Sequence, residues 1–543
     1  MKKTVMFLAV MALCASFAFG GGGRQSGAAS GGAVQPTVQV SADNPSWSQN
    51  KTPYTATWFV SFDWYGKVFN PQVNVWDKAL VDSSGISIEF TVGNYEKLNM
   101  LIATNALPDI VTMDAVASQR NLLEDGGVLL DLEDLAAKYA PDLNIPQSMK
   151  EWYRAGDGKW YSIANFYYGP ERTNPEYGGY YATHQLNYAR QDILDQIGMK
   201  LSDLETKEGF LNALRAVRDK RIQYNGRTVI PYVGGIPEYL APQFGATLED
   251  ANGNLVNIRR TPEFLEALLF LNTCYRENLI TDEQFTENST QRDTRVAAGY
   301  FFAYTGWTVV EHPRKALYSA DPNAKIFYAG VMQGDAGKPS ILEGVNCGGW
   351  TTTSITKNAR NPAKCIQLLA YLSTEKDTLD ARYGYNGYDI RNGKAYQKKS
   401  IADELAANYD AAMAKYMSDV GWLQDWNIVQ KYKPRDLNDL YYDIDHYDQE
   451  RDPRYPIYDN KAFVFVNPPD GTDLAVTKVK IDDYWTQAIP RIVMAANANE
   501  CRRLYNEAIA QAESLGWKEL EAYQNAEFKK NKAKLGQTRA WPR

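Results

Sequence analysis

The sequence predicts an α/β fold in two lobes, and three observations carry that expectation. Residues 57–114 alternate between strand and helix patterns, and the same grammar restarts near Tyr188. At 543 residues the chain is also too long for a single hydrophobic core.

Lys2 and Lys3 precede an apolar run from Val5 to Phe19, followed by small residues suited to cleavage, so residues 1–20 read as a secretory signal peptide. Residues 21–52 are rich in Gly, Ser, Ala, Gln and Asn without periodicity and read as a flexible linker. Thr57 to Phe62 is β-branched and aromatic, the first buried strand, and it empties into Asp63-Trp64-Tyr65. Ile86 to Val92 supplies the second strand. Apolar residues at helical spacing after Tyr95 (Leu98, Leu101, Ile102, Ala106) give a helix that Pro108 stops. Asp109 to Met113 is then a short apolar strand ending on Asp114, of the kind that lies between helices and delivers side chains to a crevice.

Leu130 to Tyr139 reads as an amphipathic helix, and Gly158 to Ala164 as an extended segment leading to the aromatic group Asn165-Phe166-Tyr167-Tyr168. Between Tyr188 and Arg218 an amphipathic helical pattern recurs, Thr228 to Val233 forms a strand, and a turn carries Glu238 and Tyr239. Asp250-Ala251-Asn252-Gly253-Asn254 reads as a hairpin turn, because Asn-Gly favours positive φ. A calcium loop is the sharper reading of the same residues, but the later liganding acid of an EF-hand is missing. Pro262 to Asn278 is a helix, Gly299 to Trp307 a strand, Thr351 to Ile355 another, and Asn361 to Ser373 its following helix. Helix dominates the last third, notably Asp482 to Leu515, with acidic and aromatic turns around Tyr441 to Tyr458.

Composition excludes several function classes. The net charge is −7 and basic residues occur in nothing longer than pairs, which argues against a nucleic-acid partner. After the first 20 residues no apolar run approaches the length of a membrane span. The three histidines, His184, His312 and His446, lack metal-site spacing, and neither a GxSxG elbow nor a GxxxxGK[ST] loop occurs. Cys274, Cys347, Cys365 and Cys501 show no CxxC pattern; export permits disulfides among them without demanding any. Thirteen Trp and 36 Tyr supply flat, amphipathic side chains suited to stacking on sugar rings, although most of them must serve the core.

The order of these segments resembles the extracellular solute-binding proteins of ABC importers, family 1, the group that includes oligosaccharide receptors. EKLNMLIATNALPDIVTMD is the most specific piece, supported by NYARQDILDQIG, TPEFLEALLFLNTCYRENLITDEQFT, AAGYFFAYTGW and TSITKNARNPAKCIQLLAYLST. The resemblance implies a two-lobed periplasmic-binding-protein fold of type II with crossing hinge segments and a helix-rich C-terminal part. One lobe would comprise residues 53–168 and 345–390, the other residues 169–344 and 391–535. It implies an exported receptor with no catalytic chemistry and no cofactor or metal. Its partners would be a small solute, an oligosaccharide or another polyhydroxylated molecule, and the permease subunits of an importer.

Carried over by position, the binding residues would be Asp63, Trp64, Tyr65, Met113 and Asp114 from the first lobe and Glu238, Tyr239 and Trp307 from the second. Asn165 and Tyr167 would lie near the first crossover and Trp350 near the second. Met113 stands where sugar receptors often place an aromatic. The N-terminus also departs from relatives with a lipid-attachment cysteine, since Leu13 precedes Cys14 and Gly20 to Gly23 follow. An exported carbohydrate-active enzyme using an Asp/Glu pair, or a sensor acting through a membrane partner, are the other readings.

Overall fold

The structure is a computed structural model that describes residues 38–170, 183–287, 289–306, 311–344, 347–433 and 457–540. The expected signal peptide, most of the linker, Trp307 and most of the turns at 441–458 lie outside the described residues. In chain order the strands are β1 (Tyr54–Val60), β2 (Ile86–Val92), β3 (Ile110–Asp114), β4 (Ile163–Ala164), β5 (Asn187–Arg190), β6 (Gln223–Tyr224), β7 (Arg227–Thr228) and β8 (Ile230–Val233). There follow β9 (Phe301–Thr305), β10 (Ile326–Tyr328), β11 (Leu342–Glu343), β12 (Thr351–Ile355), β13 (Tyr388–Arg391), β14 (Lys394–Gln397) and β15 (Ile457–Tyr458).

Two larger sheets organise the chain, one in the order β2-β1-β3-β12-β4 and one in the order β10-β5-β9-β8. In the first, β1 is parallel to β2 and β3, and β12 is antiparallel to β3 and β4. The C-terminal ends of β1, β3 and β4 therefore share an edge with the start of β12. In the second, β8 is parallel to β9, while β5 is antiparallel to β9 and β10. There the ends of β8, β9 and β10 share an edge with the start of β5.

The first sheet is covered on both faces. Ala56, Trp58 and Val60 of β1 point into one apolar core, while Phe59 points into the other with Val111 and Met113. This double burial is why β1 and β3 read as continuous apolar runs. Local chemistry sets the helix boundaries: Asn74 and Asn94 accept hydrogen bonds from the first-turn N–H groups of Val75–Ser84 and Tyr95–Ala103. Thr261-Pro262 and Asn361-Pro362 place a cap and an N1 proline at the starts of Pro262–Arg276 and Pro362–Leu372.

Three differences from the sequence reading have physical causes. The segment NYAR is β5 rather than the start of a helix, and the helix begins at Gln191. The long C-terminal helix is two, Asp473–Val493 and Ala498–Ser514. Asn497 caps the second, and the buried Asn272 amide donates to the carbonyls of Val493 (2.8 Å) and Ala495 (2.7 Å), satisfying acceptors that the break releases. The segment from 391 to 433 packs on the first sheet's side, not the second's. Asn74 donates to the carbonyls of Ala414 and Met417, and Val420, Trp422 and Leu423 join the core around Trp58.

The helices Asp473–Val493 and Ala498–Ser514, with Trp517–Lys534, extend the second sheet's core through Trp485, Leu504 and Trp517. The four cysteines that follow residue 20 are buried and form no disulfide. Among the described residues no helix is long and apolar enough to cross a membrane.

Candidate functional site

At the shared edge of the first sheet, four stretches of chain deliver aromatic rings to one place. Phe62 and Trp64 follow β1, Phe166 follows β4, Trp350 precedes β12, and Trp422 and Trp426 come from the segment before helix Trp426–Tyr432 and its first residue. The Trp64 and Trp350 rings are stacked, with centroids 6.1 Å apart and planes 8° apart. Phe62 stacks on Trp422 at 5.7 Å and touches Trp350 at 5.5 Å, and Phe166 links Trp350 (5.9 Å) to Trp426 (4.8 Å). Offset-stacked and tilted pairs of this kind are favourable because the ring quadrupoles avoid face-to-face repulsion. Trp422 is 4% exposed and anchors the group in the core, whereas Trp64 is 61% exposed. A large apolar side chain so exposed, held by stacking on Trp350, is a candidate contact surface.

The predicted residues divide sharply. Asp63 and Trp64 are exposed, and Trp350 and Asp114 are half-buried. Burial raises the Asp114 carboxyl above the usual range, countered by the N–H of Val116. Tyr65, Met113, Asn165 and Tyr167 are corrections: all four are core residues with almost no surface to offer a ligand. Tyr65 donates its hydroxyl to the carbonyl of Asp419 at 2.9 Å, and Met113 lies on the sheet face opposite the Trp58 core, packed with Phe59 and Val111. The Asn165 side chain accepts from the N–H of Thr351 at 2.8 Å and so locks β4 to the start of β12. Tyr167 lies in the first core with Lys461 over its ring.

Phe166, between the buried Asn165 and Tyr167, is the residue of this stretch whose ring meets Trp350 and Trp426. Its φ of 53° is left-handed, so the chain turns there and the aromatic that points to the platform is Phe166 rather than its neighbours. Aromatic density alone marks Trp422 and Trp426 in the sequence, and no local pattern says which distant strand they meet.

At the corresponding edge of the second sheet, Tyr239 sits in the first turn of helix Pro237–Gln243. Its ring lies against Gly306, where an added Cβ would come within 3.2 Å and φ is +135°, so the close approach needs glycine. His184 meets Tyr239 edge-on with centroids 6.3 Å apart, and its burial lowers the imidazole to about 3, which keeps it neutral. Glu238 is not a free acid, because Arg259 lies 3.5 Å away and also pairs with Asp482 at 3.1 Å.

Glu343, which the sequence reading did not single out, adds a carboxyl at this edge. Gln185 clamps it twice: the amide donates to the carboxylate at 2.9 Å, and the backbone N–H of Glu343 donates to the Gln185 oxygen at 2.9 Å. Burial pushes the carboxyl up to about 7 despite the hydrogen bonds from Gln185 and Asn460. Beneath the edge, Asn187 and Gln243 exchange amide hydrogen bonds (2.9 and 3.2 Å), Thr305 bonds to Asn187 at 2.5 Å, and Tyr232 donates to Thr305 at 2.7 Å. This buried network ties the start of β5 to β8, to the end of β9 and to helix Pro237–Gln243.

Among the described residues no group of three or more His, Cys, Asp or Glu side chains is placed to hold a metal ion. No protein-family model matches the sequence, and comparison with curated proteins finds no match. Solved structures do match. The S. pneumoniae ABC-transporter substrate-binding protein FusA in complex with kestose is similar at a TM-score of 0.65 and 14% identity, covering 88% of this chain and 100% of that one. A human-milk-oligosaccharide (HMO) binding ABC-transporter-associated solute-binding protein from Bifidobacterium longum infantis is similar at 0.64 and 14%, over 88% of this chain and 99% of that one. The alginate-binding protein AlgQ2 without calcium ion is similar at 0.60 and 16%, over 89% and 99%. At such identities the likeness establishes the fold, which is that of the two-lobed solute-binding proteins.

Proposed function

We propose that this chain is an exported solute-binding receptor that captures an oligosaccharide or another polyhydroxylated solute and presents it to the permease subunits of an ABC importer. The observation that carries the reading is the exposed Trp64 held parallel to Trp350. A ring so placed offers an apolar face to the C–H side of a sugar while acids and amides at its margin meet the hydroxyls. Asp63, Asp114, Tyr239 and Trp307 are the further contacts we assign. The similar structures, FusA in complex with kestose, an HMO-binding protein and an alginate-binding protein, support a glycan as the solute.

Binding requires no catalytic step. Closure of two lobes over a ligand draws on the ligand's preference for the closed form and cannot exceed it. A thermal-shift screen of neutral and acidic oligosaccharides, monosaccharides, peptides and polyols tests the proposal, since a ligand bound to the folded state raises the melting temperature. Stabilisation by a glycan class, without product formation, is the expected result. Sustained turnover would instead favour a carbohydrate-active enzyme, and a shift produced by peptides alone would overturn the solute.

A further inference from the structure

The turn from Asp250 to Asn254, for which a calcium loop is the sharper alternative to a hairpin turn, is occupied by the protein's own lysines. Asp250 receives the N–H groups of Asn252 and Asn254 on one carboxylate oxygen, both at 2.8 Å, and the Asn254 amide on the other at 3.0 Å. Asn254 in turn accepts from the ammonium of Lys529 at 2.8 Å. The adjoining Glu249 is fully buried, with Lys532 at 2.5 Å on one carboxylate oxygen and the N–H of Ala540 at 2.7 Å on the other. Lys532 also donates to the carbonyl of Gly253 at 3.1 Å, and an added Cβ on Gly253 would lie 3.0 Å from its nitrogen.

Calcium takes six to eight oxygens at about 2.3–2.6 Å. Here the carboxylate oxygens are already committed to N–H groups and an ammonium group, and two positive charges stand where a dication would add two more. The residues do not fit the metal. We propose instead that Lys532, 9% exposed, is a built-in cation: it neutralises Glu249 and clasps the C-terminal helix Trp517–Lys534 to the Leu248–Val256 turn, with Lys529 as its exposed partner. Asn525 completes the clasp by accepting from the N–H of Leu255 at 2.9 Å. The inference is independent of the solute and of the receptor reading.

A covalently attached ammonium cannot be chelated or exchanged, so the fold should be indifferent to calcium where a metal-clasped one would not be. The purified full chain is melted with added calcium chloride and with added EDTA, and calcium is titrated into it calorimetrically. Unchanged melting temperatures and no binding heat are expected. A rise with calcium, a fall with EDTA, or saturable binding heat would overturn the proposal. Lys532→Met keeps the aliphatic stem and removes the charge, leaving Glu249 buried without this ammonium, so its melting temperature should drop by several degrees. Lys532→Met with Glu249→Gln should regain most of that loss, because the buried charge is gone as well. A single variant as stable as the parent, or a double variant no better than the single, would show that the ammonium is not the clasp. If Lys532→Met fails to fold, Glu249→Gln alone reads the same pair, and the calcium titration of the parent chain stands unaffected.

Discussion

Trp64 and Trp350 lie as parallel plates, although one leaves β1 and the other enters β12, an antiparallel strand delivered from far along the chain. The pairing works because β3 lies between β1 and β12 in the sheet, so both rings emerge at one edge two strands apart. Trp64 is the member of this group with most of its surface open.

Trp64→Ala should therefore reduce affinity for the solute without moving the melting temperature. Loss of one stacking face is worth about 1.4 kcal/mol, or about tenfold in affinity. Trp422→Ala removes the buried anchor and should cost about 3–5 kcal/mol of stability. Calorimetric titration and urea unfolding of both variants check the division. Equal effects on affinity and stability in the two variants would mean that Trp64 is packing rather than contact surface.

Much of the first sheet was legible: β2 and β12 begin and end where the sequence reading puts them, and the helix before β3 starts at Tyr95, although it ends at Ala103, short of Pro108. Depth was not legible. Tyr65 and Met113 sit at strand ends where sequence gives direction but not distance from solvent, and Asn165 is claimed by the N–H of Thr351, a partner no local pattern reveals. Glu343 escaped notice for the same reason, since its character comes from burial and from Gln185 and Asn460, both distant in the chain.

Glu343 and His184 should give the stability profile two opposing slopes. The folded carboxyl of Glu343 titrates near 7, above its ordinary value of about 4.3, so its contribution is full below that value and is lost as pH rises through 7. The folded imidazole of His184 titrates near 3, below about 6.5, so its contribution is present above 6.5 and lost as pH falls towards 3. Between about 4.3 and 6.5 the two changes oppose each other. Melting curves of Glu343→Gln should therefore climb between about pH 4.3 and 6.5, where the parent's two changes cancel. A variant whose profile matches the parent's across that window would remove Glu343 as a source.

The Asn187–Gln243 pair predicts a penalty for half-measures. Gln243→Leu strips one partner from Asn187 and leaves the N–H of Met332 without its 2.9 Å acceptor, so about 1–3 kcal/mol should be lost for each stranded group. Thr305→Val removes a hydroxyl that serves both Tyr232 and Asn187, and should cost a similar amount. Because the three side chains touch, the double variant should fall short of the sum. Urea midpoints measure all three, and strict additivity would show that the bonds act separately.

Asp109 makes the last prediction, and it returns to the start of β3. Burial alone would raise this carboxyl, but the Arg360 guanidinium at 2.9 Å, the N–H groups of Thr57 (2.8 Å) and Arg360 (2.9 Å) and the Thr57 hydroxyl (2.9 Å) outweigh it and hold the group at about 2. The sequence reads Asp109 as the first residue of a strand; its side chain is a staple that joins β1, β3 and the turn after β12. A folded value depressed from about 3.9 contributes stability above that pH and loses it as pH falls through 2. The size is roughly 2 kcal/mol at neutral pH. Asp109→Asn keeps the shape but not the charge, so it should be less stable than the parent at pH 7 by about that amount, and the gap should narrow towards pH 2 as the parent's carboxylate is protonated. A gap that stays constant with pH would place the loss in packing rather than in charge.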